Sequence, residues 1–293
     1  MAPWKTKDGK TKEGRAKIVG GMGASHVPSV GVAYDRKKLQ TPEWQPLYDM
    51  FVPVKEWLTR IDPTVAIIVY NDHGTDLFFD KYPTFAIGAA DSYPQGDEGY
   101  GPRPLPPVRG DAEFSWHLAE QLVWNEFDIT VCQELAMDHG LLVPMNLCWP
   151  HEPDWPIKVV PLQINVLQHP LPTGLRCWKL GQALRTAVEA YPGDERVLVI
   201  GTGGMSHQLN GERFGFMNES WDQQFLDWIE DDPQKVVDMT HHELMEKGGA
   251  ESVELIMWLT MRGALTPKVK RIDRGYYNPM TTGIAVLTLE DAA

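Results

Sequence analysis

Residues 66–73 read AIIVYNDH, an apolar run from Ala66 to Tyr70 that stops at Asn71, Asp72 and His73. Five apolar residues without a polar face are too short for a surface helix and suit a strand covered on both sides. The same form occurs twice more: GGMGASH (20–26) ends at His26, and VLVIGTGGMSH (197–207) ends at His207. Working outward, further candidate strands are Ala16–Gly21, Thr64–Tyr70, Ile129–Cys132, Lys158–Val166, Arg196–Ile200 and Thr282–Leu289. Between them lie helical patterns at Pro46–Arg60, Ala112–Asn125, Leu175–Ala190, Glu219–Glu230 and Gly249–Arg262, most with Pro or Gly near their ends. This alternation predicts an α/β fold, one domain with a mostly β-sheet core and helices on both faces. The stretch DEGYGPRPLPP (97–107) is too rich in Pro and Gly for a regular element and is expected to form a long ordered loop. No internal repeat or composition shift divides the chain.

The 293 residues are 43% hydrophobic and 23% charged, which excludes disordered, collagen-like and coiled-coil classes. With 27 basic and 40 acidic residues the net charge is −13, so nucleic acid and anionic membranes are not expected partners. Cys132, Cys148 and Cys177 make no even disulfide set and no CxxC pair, as suits a reducing, cytoplasmic setting. No apolar run approaches the roughly 18 residues of a membrane span. Residues 1–15, lysine-rich and without a following apolar segment, read as a flexible basic arm and not a signal peptide, with the domain proper over 16–293.

A single histidine after a strand is ordinarily a hydrogen-bonded loop residue. Three in equivalent positions favour a shared metal or catalytic site, provided the strands are parallel neighbours, because ligands bind at the carboxyl ends of such strands and imidazoles are the commonest metal ligands. A carboxylate to join them is sought in GAESVELIMWLTMRGAL (249–265), where Glu254 shares a helical face with Met257, Trp258 and Met261. Such a glutamate is either paired or metal-bound, or a rim residue whose head reaches water. Glu251 reads as a solvent-facing residue near the helix start. Two histidines and a carboxylate serve both non-haem Fe(II) oxygenases and zinc hydrolases, and spacing alone does not separate them. HExxH, GxSxG and the Walker A loop are absent.

Seven segments in one order, GASHVPS, VYNDH, PTFAIG, DEGYGPRP, MDHG, GTGGMSHQL and GAESVELIMWLTMRGAL, resemble the class III extradiol ring-cleavage dioxygenases. That family includes the protocatechuate 4,5-dioxygenase β chain and the catalytic part of gallate dioxygenases. The resemblance runs from about Lys17 to near the C-terminus. It implies mononuclear Fe(II) held by His26, His73 and Glu254, with O2 as co-substrate, a catalytic base at His207 and a further active-site histidine at His139. From the residues alone, His139 would be a turn residue. A catechol must lose protons to chelate iron, and histidine, with an ordinary pKa near 6.5, can move them in both directions. Asn71 and Asp72 either orient the His73 ligand or merely close its turn. Arg103 reads as structural before substrate-binding, although a carboxylate substrate makes any nearby arginine a candidate. In NPMTTG (278–283), the region that meets the substrate carboxylate in the family, Thr281 and Thr282 are candidate hydroxyl donors, and Asn71 is a third candidate substrate contact.

The resemblance therefore implies cleavage of a small aromatic catecholic acid, protocatechuate first, with gallate and 3-O-methylgallate as alternatives. A small α-type lid subunit or a second copy of the chain is the expected cover, since no covering segment follows Leu289. The basic arm is longer than the family pattern. Rival readings are a zinc-dependent hydrolase and a non-catalytic binding protein on the same fold.

Overall fold

The computed structural model describes residues 14–292, so the expected basic arm over residues 1–15 lies outside the described residues apart from Gly14 and Arg15. Among the described residues the strands are β1 (Lys17–Ala24), β2 (Val65–Tyr70), β3 (Phe85–Gly88), β4 (Ser92–Tyr93), β5 (Val108–Arg109), β6 (Thr130–Cys132), β7 (Lys158–Ile164), β8 (Arg196–Thr202), β9 (Val269–Tyr277) and β10 (Ile284–Asp291). The helices are α1 (Pro28–Asp35), α2 (Gln45–Met50), α3 (Val52–Ile61), α4 (Ala112–Trp124), α5 (His139–Cys148), α6 (Gly174–Ala190), α7 (Glu219–Asp231), α8 (Gln234–Val237), α9 (His241–Gly248) and α10 (Leu255–Gly263). Eight strands make one mixed sheet in the order β6-β3-β7-β2-β8-β1-β10-β9, and β4 pairs with β5 in a separate ribbon.

At the sheet centre β7, β2, β8 and β1 run parallel. The three histidine-tipped strands are thus neighbours pointing the same way, the condition on which convergence depended. β2 explains the layering. Val65, Ile67 and Val69 face a cluster built from α4, α6, α7 and α10, while Ala66, Ile68 and Tyr70 face a second cluster built from α1, α2, α3 and α5. Successive side chains of a strand point to opposite faces, so a strand sandwiched between two helix layers has no polar position left. Each fully buried Ile or Val there contributes roughly 1.5–3 kcal/mol from apolar burial.

Several helices begin where a side chain takes up a free backbone N–H. Asp111 accepts from Phe114 at α4, Asp138 from Gly140 at α5, Thr173 from Arg176 at α6 and Asn218 from Trp221 at α7. The single helix expected over Pro46–Arg60 is two helices, α2 and α3, that break at Phe51. Pro53 has no N–H to donate, so it fits only the first turn of a new helix. The expected helix over Gly249–Arg262 opens as a 3-10 turn at Ala250–Glu254, and regular α-helix starts only at Leu255. Glu254 therefore stands at the junction between the two and not inside a helical face.

The loop between Tyr93 and Gly110 is irregular as expected, closed at its ends by β4 and β5. No helix among the described residues is long and apolar enough to cross a membrane.

Candidate metal centre

The site lies at the carboxyl ends of β1, β2 and β8. His26 follows β1 by two residues and His73 follows β2 by three, both before the chain turns away. Beyond β8 the segment Gly203–His207 turns back under the sheet edge. Its first residue, Gly203, has φ +141°, and a Cβ there would lie 2.9 Å from the Glu254 Cβ. Only glycine lets this segment pack on the Glu254 turn.

Glu254 is the focus. It is 6% exposed, with Oε2 3.3 Å from His26 Nε2 and Oε1 4.0 Å from His73 Nε2. The Gly204 N–H donates to Oε2 at 2.7 Å. Each histidine is held from its other ring nitrogen. His26 Nδ1 meets Thr202 Oγ1 at 2.9 Å, and His73 Nδ1 donates to Asp138 Oδ2 at 2.8 Å. The same Asp138 oxygen accepts the His73 backbone N–H at 2.8 Å. Both Nε2 atoms are left facing one buried carboxylate. That donor set, with each imidazole oriented from behind by an oxygen, fits a divalent ion held by two histidines and a carboxylate.

The charges agree with the geometry. Burial works to raise the Glu254 carboxyl, but His26, His207 and His73 outweigh it and hold the group well below the ordinary carboxylate range. Burial lowers His26, against the pull of the Glu254 carboxylate in the other direction. Burial also works to lower His73, yet Asp138, Glu254 and Glu98 together push it up to about 9. Asp138, fully buried, is held below its usual range against the pull of burial by His73.

His139 joins this group. It is the first residue of α5, and its ring centroid lies 3.9 Å from that of His73 and 5.6 Å from that of His26. Ligand atoms of His26, His73 and His139 all lie within 4.8 Å of one another, so a three-histidine set is also sterically available. The two sets differ in charge: Glu254 brings a buried carboxylate that offsets the charge of a divalent ion, which three imidazoles do not.

His207 is buried at the far side of Glu254. Its Nδ1 donates to the Met205 carbonyl at 2.8 Å, and its backbone bridges to Thr282. Asp222 locks this segment by accepting from the Ser206 N–H and hydroxyl, both at 2.7 Å, and from the Tyr276 hydroxyl at 2.8 Å. Of the two threonine candidates, Thr282 is buried beside His207, whereas Thr281 is exposed. Asn71 is fully buried, its Nδ2 is 3.1 Å from His73 Nε2, and its Oδ1 has no partner. Asp72 instead closes the turn, collecting the N–H groups of Gly74, Thr75, Asp76 and Leu77. Burial and the nearby Asp138 raise its pKa to about 6. Arg103 pairs with Asp35 at 2.9 and 2.8 Å, while its Nη1 is buried without a hydrogen-bond partner.

The model of the family described as the catalytic LigB subunit of aromatic ring-opening dioxygenase matches residues 20–288. The chain belongs to this family. Among its LigB relatives, the gallate dioxygenase of Pseudomonas putida is 50% identical over 195 residues, covering 67% of this chain and 57% of that protein. The LigB-family chain therefore spans little more than half the length of that relative. A 2,3-dihydroxyphenylpropionate/2,3-dihydroxicinnamic acid 1,2-dioxygenase of Burkholderia vietnamiensis is 26% identical over 278 residues, covering 79% of this chain and 84% of that one. An uncharacterized protein of Escherichia coli K12 has the same fold, with a TM-score of 0.56 at 13% identity, covering 94% of this chain and 100% of that one.

Reading the sequence missed four residues of this LigB-family site: Thr202, Asp138, Asp222 and Glu98. Asp138 stands in the quoted MDHG segment, but nothing in the sequence pointed it at His73.

Proposed function

We propose that the protein is an Fe(II)-dependent extradiol dioxygenase that opens the ring of a catecholic acid between a hydroxylated carbon and its non-hydroxylated neighbour, inserting both atoms of O2. The observation that carries this reading is the pair of imidazole Nε2 atoms 3.3 and 4.0 Å from the buried Glu254 carboxylate, in a chain of the ring-opening family. His26, His73 and Glu254 are the ligand set. Ferrous iron, when bound, supplies the one-electron chemistry toward O2 that a closed-shell catechol lacks.

The chain's own residues then handle protons and placement. His207 donates from Nδ1 to Met205 O, which leaves Nε2 as the nitrogen that takes a proton from a substrate hydroxyl and returns it during ring opening. Asp222 and Gly204 hold the segment that carries it. Asn71, with an unpartnered Oδ1 beside His73, is placed to meet a substrate hydroxyl, and Thr282, beside His207, to meet the ring carboxylate.

Gallate is the first substrate to test, on the 50% identity to the Pseudomonas putida gallate dioxygenase, ahead of the protocatechuate expected from the sequence. Phe78 and Phe79 after His73, Leu209 and Phe214 after His207, and Met280 before Thr281 are exposed apolar side chains on segments that lead to or from site residues. Exposed apolar side chains on these segments support closure by another chain, a small partner or a second copy, which would keep water from reactive oxygen. Anaerobic loading with Fe(II) and then oxygen uptake with gallate, protocatechuate, 3-O-methylgallate and catechol tests the reading. Turnover only with the acids and only with iron is expected, and full activity with zinc alone would overturn it.

A further inference from the structure

The loop between β4 and β5 brings one carboxylate to the site. Glu98 Oε1 pairs with His139 Nδ1, and its Oε2 accepts the His139 backbone N–H at 3.1 Å. This repeats, on the neighbouring imidazole, the grip of Asp138 on ring and main chain of His73. The two carboxylates differ in support. Asp138 is fixed as the cap of α5, whereas Glu98 rides on a loop with Gly99 and Gly101 at φ +94° and +81°. The loop is shaped by Asp97, whose Oδ1 accepts from the N–H groups of both glycines at 2.8 Å. It is tied down by Gly96 N–H to Met137 O at 2.9 Å on one side and by Arg103 to Asp35 of α1 on the other. A cleft of about 610 Å³ lies alongside, lined by Glu98, Tyr100, Arg103, Val32 and His139.

An imidazole ring has two nearly equivalent settings about its outer torsion, and a turn between them exchanges which ring atoms face the site. Two of the ring's neighbours, His26 and His73, are themselves imidazoles, and their faces do not distinguish the two settings. We infer that Glu98 is a positioning residue for ring cleavage: its two-point grip keeps the His139 Nδ1–H turned away from the site and presents Nε2 to the substrate. The inference rests on His139 acting in the site proposed above. Glu98 is not a ligand of a second ion shared with Asp138 and His139, although the three are close enough, because the Asp138 oxygens are taken by His73 and Gly140.

The full chain is tested as Glu98→Ala, Glu98→Gln and His139→Ala, with iron content, kcat and KM for gallate, and the proton NMR signal of the His139 Nδ1–H in metal-free protein. Glu98→Ala is expected to keep its iron, lose about 10- to 100-fold in kcat with KM changed by less than about threefold, and lose the His139 signal while that of His73 persists. Glu98→Gln, whose amide oxygen still accepts the Nδ1–H, is expected to recover part of kcat and the signal. A Glu98→Ala protein with normal kcat beside a slow His139→Ala protein would overturn the inference alone, as would lost iron or a rise confined to KM. Full turnover in His139→Ala would overturn the reading of His139 and the inference with it.

Discussion

Asp138→Asn changes one oxygen to an amide and should damage both the fold and the metal centre. Asp138 is wholly buried, and its two oxygens take three donors: the His73 N–H and Nδ1–H at 2.8 Å each and the Gly140 N–H at 2.9 Å. None of these positions has an acceptor for a new NH2 group. If the amide oxygen stays on His73, the NH2 faces the Gly140 N–H. One hydrogen bond to a charged acceptor is lost, about 1.5–3 kcal/mol, and a buried donor is left unpaired for about 1–3 kcal/mol more. If the oxygen turns to Gly140, the NH2 meets the His73 ring, which can answer only by giving up its Nδ1 proton. The proton the ring keeps then sits on Nε2, the nitrogen that faces Glu254. Either way the metal-free protein should lose on the order of 3–5 kcal/mol, or metal affinity should fall about 10- to 100-fold, the usual cost of a lost outer partner of a ligating histidine. Urea unfolding of the metal-free protein and a direct metal titration, run together, read both losses. A variant with the wild-type unfolding midpoint and the wild-type Kd would refute the claim that Asp138 fixes His73.

Three further outcomes follow from the same geometry. His73 has its pKa raised from 6.5 to about 9, so its ion pair stabilises the metal-free protein fully below about pH 6.5 and the contribution is lost as pH rises through about 9, while metal affinity climbs over the same window because a proton must leave Nε2; a urea midpoint equal at pH 6 and pH 10 would contradict this. Alanine at His26, His73 or Glu254 should abolish or greatly weaken metal binding, whereas His207→Ala should keep the metal and lose roughly 10²- to 10⁴-fold in turnover; iron content and oxygen uptake on the four variants decide the roles. Gly203→Ala would place a Cβ 2.9 Å from Glu254 Cβ at a φ of +141°, at a cost of about 1–3 kcal/mol, and thermal unfolding together with metal affinity should both register it.

The central sheet was legible because β1, β2, β7 and β8 are buried on both faces over most of their length, which leaves short apolar runs without a polar face. The parts that escaped are those whose pattern is set by their surroundings. α5 is buried on every side and carries Pro144 within it, so HGLLVPMNLC shows neither a polar face nor an uninterrupted helical composition. β9 is one of the sheet's two edge strands, and its VKRIDRGYY carries charges of the kind that keep an open edge from pairing with another chain. Both look like loops when read alone.

The same distinction divides the site. His26, His73 and His207 could be found because strand ends announce themselves, but the residues that aim them could not, since a carboxylate's partner is chosen in three dimensions. Asp138 precedes His139 in the chain and serves His73, 65 residues away. It also caps α5, and through that helix start it sets where His139 emerges. One side chain thus satisfies the first turn of a buried helix, orients one imidazole and places a second. The start of α5 and the geometry of the candidate centre are consequently a single cooperative unit: a change that frays this helix end releases the His73 ring, and a change that frees the ring leaves a buried carboxylate whose cheapest relief is to unwind the helix end.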